Sequence, residues 1–380
     1  MVPELNSGWP DPQQPGRPHP SAAYPDGPRP GQGTGASPVS IPSPGPQYWP
    51  GDPAYPGGQG PELWMGPAPV ASPLPVVPRE YHEFFRTQRF RWWKPLLSIL
   101  MFAGTWFVVS AALSAFAIAY DLSTGRATWD GLAAGQVTPM IFASNNVALA
   151  LGIPLAGLAG WAVFGQRPRW MSSIVGGFRW GLFLRFAAIA APIFALGMGV
   201  SVLLSGGLEL TWNDDSGFLI VVILATTPCQ AAGEEYGVRG ILARSVGSWF
   251  GSTRVGLLVA TVVTSMVFML LHGAGDPWLN VYYFSVGVAC SLLVWRTGGL
   301  EAAVALHVCN NMISEITLPF GGLAEMFDRG VGTAGPETLI QMFFTAAVTG
   351  AMIWLGRRLR LPMSTAPGSS GRPPSFAGAE

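Results

Sequence analysis

The sequence predicts an all-helical, polytopic membrane protein: a bundle of about eight transmembrane helices with a disordered Pro/Gly-rich N-terminal tail. Three observations predict it. Hydrophobic residues make up 49% of the 380 residues and charged residues only 11%, against about 25% charged in globular chains. Eight apolar segments follow one another, each near the ~20 residues that a helix needs to cross a bilayer. Arg and Lys alternate between the intervening loops as the positive-inside rule requires. The formal net charge is zero, so no electrostatic footprint points to nucleic acid as a partner.

Residues 1–78 hold 22 of the 35 prolines, with Gly, Ser and Gln between them. Such a segment buries too little apolar surface to offset its ordering entropy. It also lacks the basic and short apolar regions of a signal peptide. If this cytoplasmic tail has a role, it is to bind cytoplasmic proteins. Residues 79–94 are basic and aromatic, with Tyr81, Phe84, Phe85, Arg86, Arg89, Phe90, Arg91, Trp92, Trp93 and Lys94. They resemble an interfacial lead-in, Trp at headgroup level and Arg on anionic lipid.

The membrane domain spans 95–360. Its segments run roughly 95–120, 138–163, 180–205, 218–243, 255–272, 278–295, 299–318 and 338–356. The seventh is the most polar, because it contains His307, Asn310, Asn311 and Glu315. With the N-terminus inside, the inner segments carry Arg86 to Lys94, Arg167, Arg169, Arg179, Arg244, Arg254, Arg296, Arg357, Arg358 and Arg360. The outer loops hold only Arg126 and Arg329. Both termini are therefore expected in the cytoplasm, and residues 361–380 form a second disordered tail. Arg-dominated basic usage and Gly, Ala and Pro richness point to a bacterial cytoplasmic membrane.

The membrane-buried polar residues carry the function. Ala231-Ala-Gly-Glu-Glu-Tyr-Gly-Val-Arg-Gly240 places three charges in an apolar run, each costing on the order of 2–3 kcal/mol at mid-depth. Glu235 and Arg239 are i,i+4 with the acid first, the favourable order for an ion pair. Glu234 points about 100° away and is expected to have no local partner. Phe268 and His272 share a face of the fifth span, and His307 and Asn311 share one of the seventh. Three helices thus offer Glu234, His272, His307 and Asn311 to one cavity. A carboxylate or imidazole can act as general base on water, and His and Asn donors can hold a developing oxyanion. That set suits hydrolysis of an amide or ester. Glu234, His272 and His307 could also hold a divalent metal such as zinc, although no His-Glu-x-x-His motif is present. At ~1.5 Å per residue, His272 comes out about two turns deeper than Glu234 and His307.

Other polar positions read as structural. Cys229, Cys290 and Cys309 lack metal-ligand spacing and are expected as small buried hydrophobes. Asn145 and Asn146 are helix–helix glue, Asp214 and Asp215 a solvated outer loop, and Glu301 and Glu315 span-end acids that reach water.

Glu-Glu-x-x-x-Arg at 234–239, Phe-x-x-x-His at 268–272 and His-x-x-x-Asn at 307–311, in that order on separate spans, resemble the three motifs of the CPBP family (CAAX-prenyl proteases and bacteriocin-processing, or Abi, proteins). The likeness covers about residues 215–315. It implies a fold of about eight helices around a cavity open toward the cytoplasm. It also implies endopeptidase activity on membrane-associated peptide or lipidated-peptide substrates. Glu234 would activate water with help from His272, and His307 and Asn311 would stabilise the oxyanion. Glu235 and Arg239, with Phe268, would support the site. The family is described both as metal-dependent and as working through the glutamate alone. Two rivals stand beside this reading: a non-catalytic membrane scaffold or immunity protein, and a proton-coupled transporter. Many transporter folds carry internal repeats, and none is visible here.

Overall fold

The computed structural model describes residues 71–208, 210–321, 323 and 327–369. The parts of the expected disordered tails at 1–70 and 370–380 lie outside them. Among the described residues, seven helices are long and apolar enough to cross a membrane: Lys94–Ser123, Pro139–Phe164, Trp180–Leu204, Ser216–Ser248, Thr253–Leu271, Pro277–Thr297 and Thr338–Arg358. The protein is an integral membrane protein. The expected seventh segment is shorter: a helix Glu301–Ser314 that tightens into a 3-10 helix Glu315–Phe320. At ~1.5 Å per residue its 14 residues reach only about 21 Å. Every residue from Glu301 to His307 is buried, so its polar groups face protein and not lipid.

Local chemistry sets the ends of these helices. Pro139 and Pro277 stand in first turns, where a missing N–H costs nothing. Thr138 accepts a hydrogen bond from the Ile141 N–H, and Asp276 accepts from Trp278 and Leu279. Both act as N-caps. Gly165 and Gly298 end their helices in the left-handed conformation that glycine adopts without penalty.

Loops gather at two ends. At one end Leu300 donates to the Ser172 carbonyl (2.8 Å), Trp249 Nε1 donates to the Trp92 carbonyl (2.7 Å), and Arg79–Glu80 pairs antiparallel with Ser364–Thr365. At the other, Arg126 pairs with Asp215 (2.7 Å) and Gly275 donates to the Arg329 carbonyl (2.8 Å). The first end collects the Arg-rich loops of the sequence count, and the second collects the outer loops.

The Arg-rich end is sealed by a cap that the sequence did not suggest. Tyr81, His82, Glu83, Phe84 and Phe85 are all buried. Arg91, Trp92 and Trp93 are exposed, while Tyr81, Phe84 and Phe85 pack inward against protein. Tyr81, Phe84 and Phe85 surround the guanidinium of Arg244, which lies 3.8 Å from the Tyr81 ring and is itself fully buried. Tyr81 also donates to the Met171 carbonyl (2.5 Å). Residues 71–78, read from sequence as tail, join the cap through the Pro73 and Pro75 carbonyls, which accept from Gln166 and Gly368. Residues 364–365 likewise leave the expected C-terminal tail to pair with the cap.

Two smaller expectations are corrected. Cys229 is exposed. Glu301 does not reach water but is wholly buried against Arg179, with Oε2 2.6 Å from Nη2. Glu315 stays partly accessible at its span end, and it also accepts from the Thr227 hydroxyl (2.7 Å). Asn146 joins two spans as expected, donating to Thr226 and Thr227 at 3.0 and 3.2 Å.

Candidate active site

The fourth span builds the site, and a close helix crossing positions it. The second span breaks at Leu151, between Pro139–Ala150 and Gly152–Phe164. Gly233 lies against that break: a Cβ there would sit 1.9 Å from the Leu149 carbonyl oxygen. Only glycine permits this backbone contact, and it sets the height of the adjoining Glu234. Immediately after Glu235 the helix widens into a π-helical stretch, Tyr236–Ala243, before Arg244–Ser248 resumes the α form. Such widenings recur at functional sites.

Glu235 is the hub. Its Oε1 accepts from Arg239 Nη1 (2.9 Å) and from His307 Nδ1 (2.9 Å), and both side chains of the ion pair are fully buried. Arg239 also donates to the Gly287 carbonyl (2.8 Å) and lies 4.9 Å over the Phe268 ring. The expected i,i+4 pair therefore exists, and it does more than brace. By accepting at Nδ1, Glu235 fixes the His307 tautomer and turns Nε2 toward Glu234, 3.8 Å from its Oε2.

His272 is held in the same way. Its Nδ1 donates to the Phe268 carbonyl (2.7 Å), the only role open to it there, which leaves Nε2 as the free acceptor. The imidazole stacks on Tyr283 with centroids 3.9 Å apart and meets Phe268 at 4.6 Å. The Phe268 ring in turn packs edge-on against His307 at 5.5 Å. The apparent two-turn mismatch in depth is absorbed in two places. The fourth span continues past Arg244 to Ser248, and the seventh helix starts already buried at Glu301.

Glu234 does have a local partner, contrary to expectation. Gln230, one turn earlier, donates to its Oε1, and Asn311 donates to Gln230 Oε1 (3.2 Å). Asn310 adjoins Asn311 and accepts from the Tyr282 hydroxyl (2.7 Å). Sequence reasoning missed Gln230, although its i,i+4 relation to Glu234 in an apolar run was a readable signal. The Glu234 side chain remains 15% exposed, and Asn311 and His272 are half-buried. Residues 235–241 are all buried. The accessible edge of the site thus lies on the 227–234 side of the fourth span.

Among the described residues, no three His, Cys, Asp or Glu side chains converge as a metal-ligand set, Glu234, His272 and His307 included. The His307 Nδ1–H and His272 Nδ1–H are held by Glu235 and Phe268, which leaves Nε2 of each ring as the atom that would meet a metal.

Fold and site together define a helical membrane protein whose polar centre is drawn from the fourth, fifth and seventh helices. Residues 216–313 match the family described as type II CAAX prenyl endopeptidase Rce1-like. An uncharacterized protein of Bacillus subtilis (strain 168), YyaK, is 27% identical over 156 residues, which are 37% of this chain and 50% of that protein. The chain thus spans about half the length of the curated relative it matches. No solved structure matches it. The resemblance to the CPBP family holds across the segment that carries all three motifs.

Proposed function

We propose that this protein is an intramembrane endopeptidase that hydrolyses a peptide bond of a membrane-associated peptide or lipidated-peptide substrate. One observation carries the reading. A partly accessible Glu234 lies beside two imidazoles, each anchored through Nδ1 and presenting Nε2. Glu234 takes a proton from water, and the resulting hydroxide adds to the scissile carbonyl carbon. His272, with Nε2 free, accepts and returns that proton. The oxyanion forms beside the Asn311 amide, which donates an N–H to it, and beside His307, which donates through Nε2 in its imidazolium form while Nδ1–H stays on Glu235, in surroundings of low dielectric. The proton then passes to the leaving amine as the C–N bond breaks. Glu235 and Arg239 act through His307 and are positioning residues. In this reading the Arg-rich capped end faces the cytoplasm.

The test is cleavage of a quenched-fluorescent peptide library by purified full-length protein in detergent. Wild type and Glu234→Ala are compared, each with and without a strong zinc chelator. Cleavage by wild type and none by the variant supports the reading, and loss of wild-type cleavage under chelator assigns the chemistry to a metal. Equal silence of two folded proteins defeats it and favours a scaffold.

A further inference from the structure

Contacts between the fourth span and the seventh helix extend beyond the residues used so far. Glu234 faces His307 (3.8 Å), Gln230 is bonded to Asn311 (3.2 Å), and Thr227 is bonded to Glu315 (2.7 Å). Positions 227, 230 and 234 follow one stripe of the fourth span, and 307, 311 and 315 follow one stripe of the seventh. The result is an antiparallel polar ladder of three rungs. Two rungs belong to the proposed catalytic centre. The third, Thr227–Glu315, does no work there.

The third rung is built and not incidental. Thr227 is fully buried, and its oxygen also accepts from Asn146 on the second span. This fixes the hydroxyl that donates to Glu315 Oε2. Among the described residues, the Glu315 carboxylate has Thr227 as its one hydrogen-bond partner, through Oε2, and no cation pairs with it. The side chain is half-buried, and its neighbours Ser314 and Ile316 are exposed. A carboxylate with one oxygen tied down and the other free, at the accessible edge of the ladder, is an acceptor for a positively charged group. It also repels a carboxylate placed at the same point.

We infer that Glu315 is a specificity-determining residue, which selects substrates carrying a Lys or Arg side chain near the scissile bond and rejects acidic ones. The inference rests on the peptidase reading of the site. Eight residues separate His307 from Glu315, about 12 Å along a helix. An extended peptide rises about 3.3 Å per residue, so the basic side chain falls three or four residues from the cleaved bond.

The experiment uses one neutral peptide sequence with a single Lys moved along it, assayed with the full-length protein in detergent. Wild type is expected to favour peptides with Lys three or four residues from the bond. Glu315→Gln should lower kcat/KM for those peptides about tenfold relative to the Lys-free parent, the scale of a charged hydrogen bond. Glu315→Lys should shift preference to peptides with Asp at that place, which a purely structural role of Glu315 would not do. A flat wild-type profile, or an unchanged one in Glu315→Gln, overturns the inference. If wild type cleaves no peptide, the peptidase reading fails instead. Fluorescence anisotropy with the same labelled peptides then decides: Lys-dependent binding that disappears in Glu315→Gln sustains the role of Glu315, and binding indifferent to Lys overturns it.

Discussion

The two ends of the bundle use charge in opposite ways. At the capped end, Arg244 is fully buried, no carboxylate among the described residues pairs with it, and the faces of Tyr81, Phe84 and Phe85 take the place of a counter-ion. Glu301 is fully buried in a bidentate pair with half-buried Arg179. At the open edge of the site, the Glu234 and Glu315 carboxylates each have one oxygen tied by a neighbour and remain partly accessible. The difference shows how one helix can serve both purposes. Burial with partners makes the 235–248 half of the fourth span a fixed anchor. Partial exposure leaves groups of its 227–234 part able to meet a ligand. Arg239 and Glu235 sit at the border and couple the two.

The contrast is broken most severely at Glu234. Glu234→Gln keeps the size of the side chain and removes the base. Peptide cleavage is expected to fall about 10²- to 10⁴-fold while the thermal unfolding midpoint in detergent stays within a degree or two of wild type, on the order of a small surface effect. A large loss of thermal stability would place Glu234 with the anchors instead.

Glu235→Gln tests the border. It leaves the Arg239 guanidinium buried without its charge partner, and such losses cost about 3–5 kcal/mol. Denaturant unfolding followed by Trp fluorescence should show that destabilisation. His307 also loses the acceptor that orients it, so activity should fall as well. Stability equal to wild type would mean that Arg239 is held by Gly287 and Phe268 alone.

Arg244→Met tests the anchor itself. It keeps much of the packing but removes the cation from three aromatic rings, an interaction worth about 2 kcal/mol when desolvated. Hydrogen exchange across residues 79–91 is expected to accelerate, with exchange in the sixth span unchanged. Unaltered protection of 79–91 would show that the cap rests on its hydrogen bonds and not on Arg244.

The mildest effect is a pH dependence of the cap. Burial holds the His82 imidazole below its ordinary value, and the Glu83 charge and the Thr253 carbonyl offset this only in part. Its Nε2 donates to Thr253 (3.1 Å), and Nδ1 faces Glu80 at 3.6 Å. A released His82 would protonate as pH falls through about 6.5 while the buried one stays neutral. The cap is therefore at full strength above that pH and weakens as pH drops from 7 toward 5. Exchange of 79–91 should rise over that interval, and His82→Gln should flatten the response. A cap equally protected at both pH values would remove His82 from the account.

Much of this was legible in the sequence. Spans of about 20 apolar residues and alternating Arg-rich loops fixed the helical membrane class, because hydrocarbon tolerates little else. Spacing of four residues placed Glu235 beside Arg239, His272 above Phe268 and Asn311 on the face of His307, since helical geometry is local. Three things needed the tertiary structure. Glu235 serves His307 as well as Arg239, and that depends on two helices 72 residues apart in sequence. The aromatic run 81–85 reads as interfacial, yet it is buried, because distant loops close over it and Arg244 gives its rings a cation to surround. Glu315 looks like a span-end acid until Thr227 is seen beside it. Sequence alone determined which residues share a helix face. Which faces meet was decided by the Gly233 crossing, the π-helical stretch and the cap, where backbones from different parts of the chain come into contact.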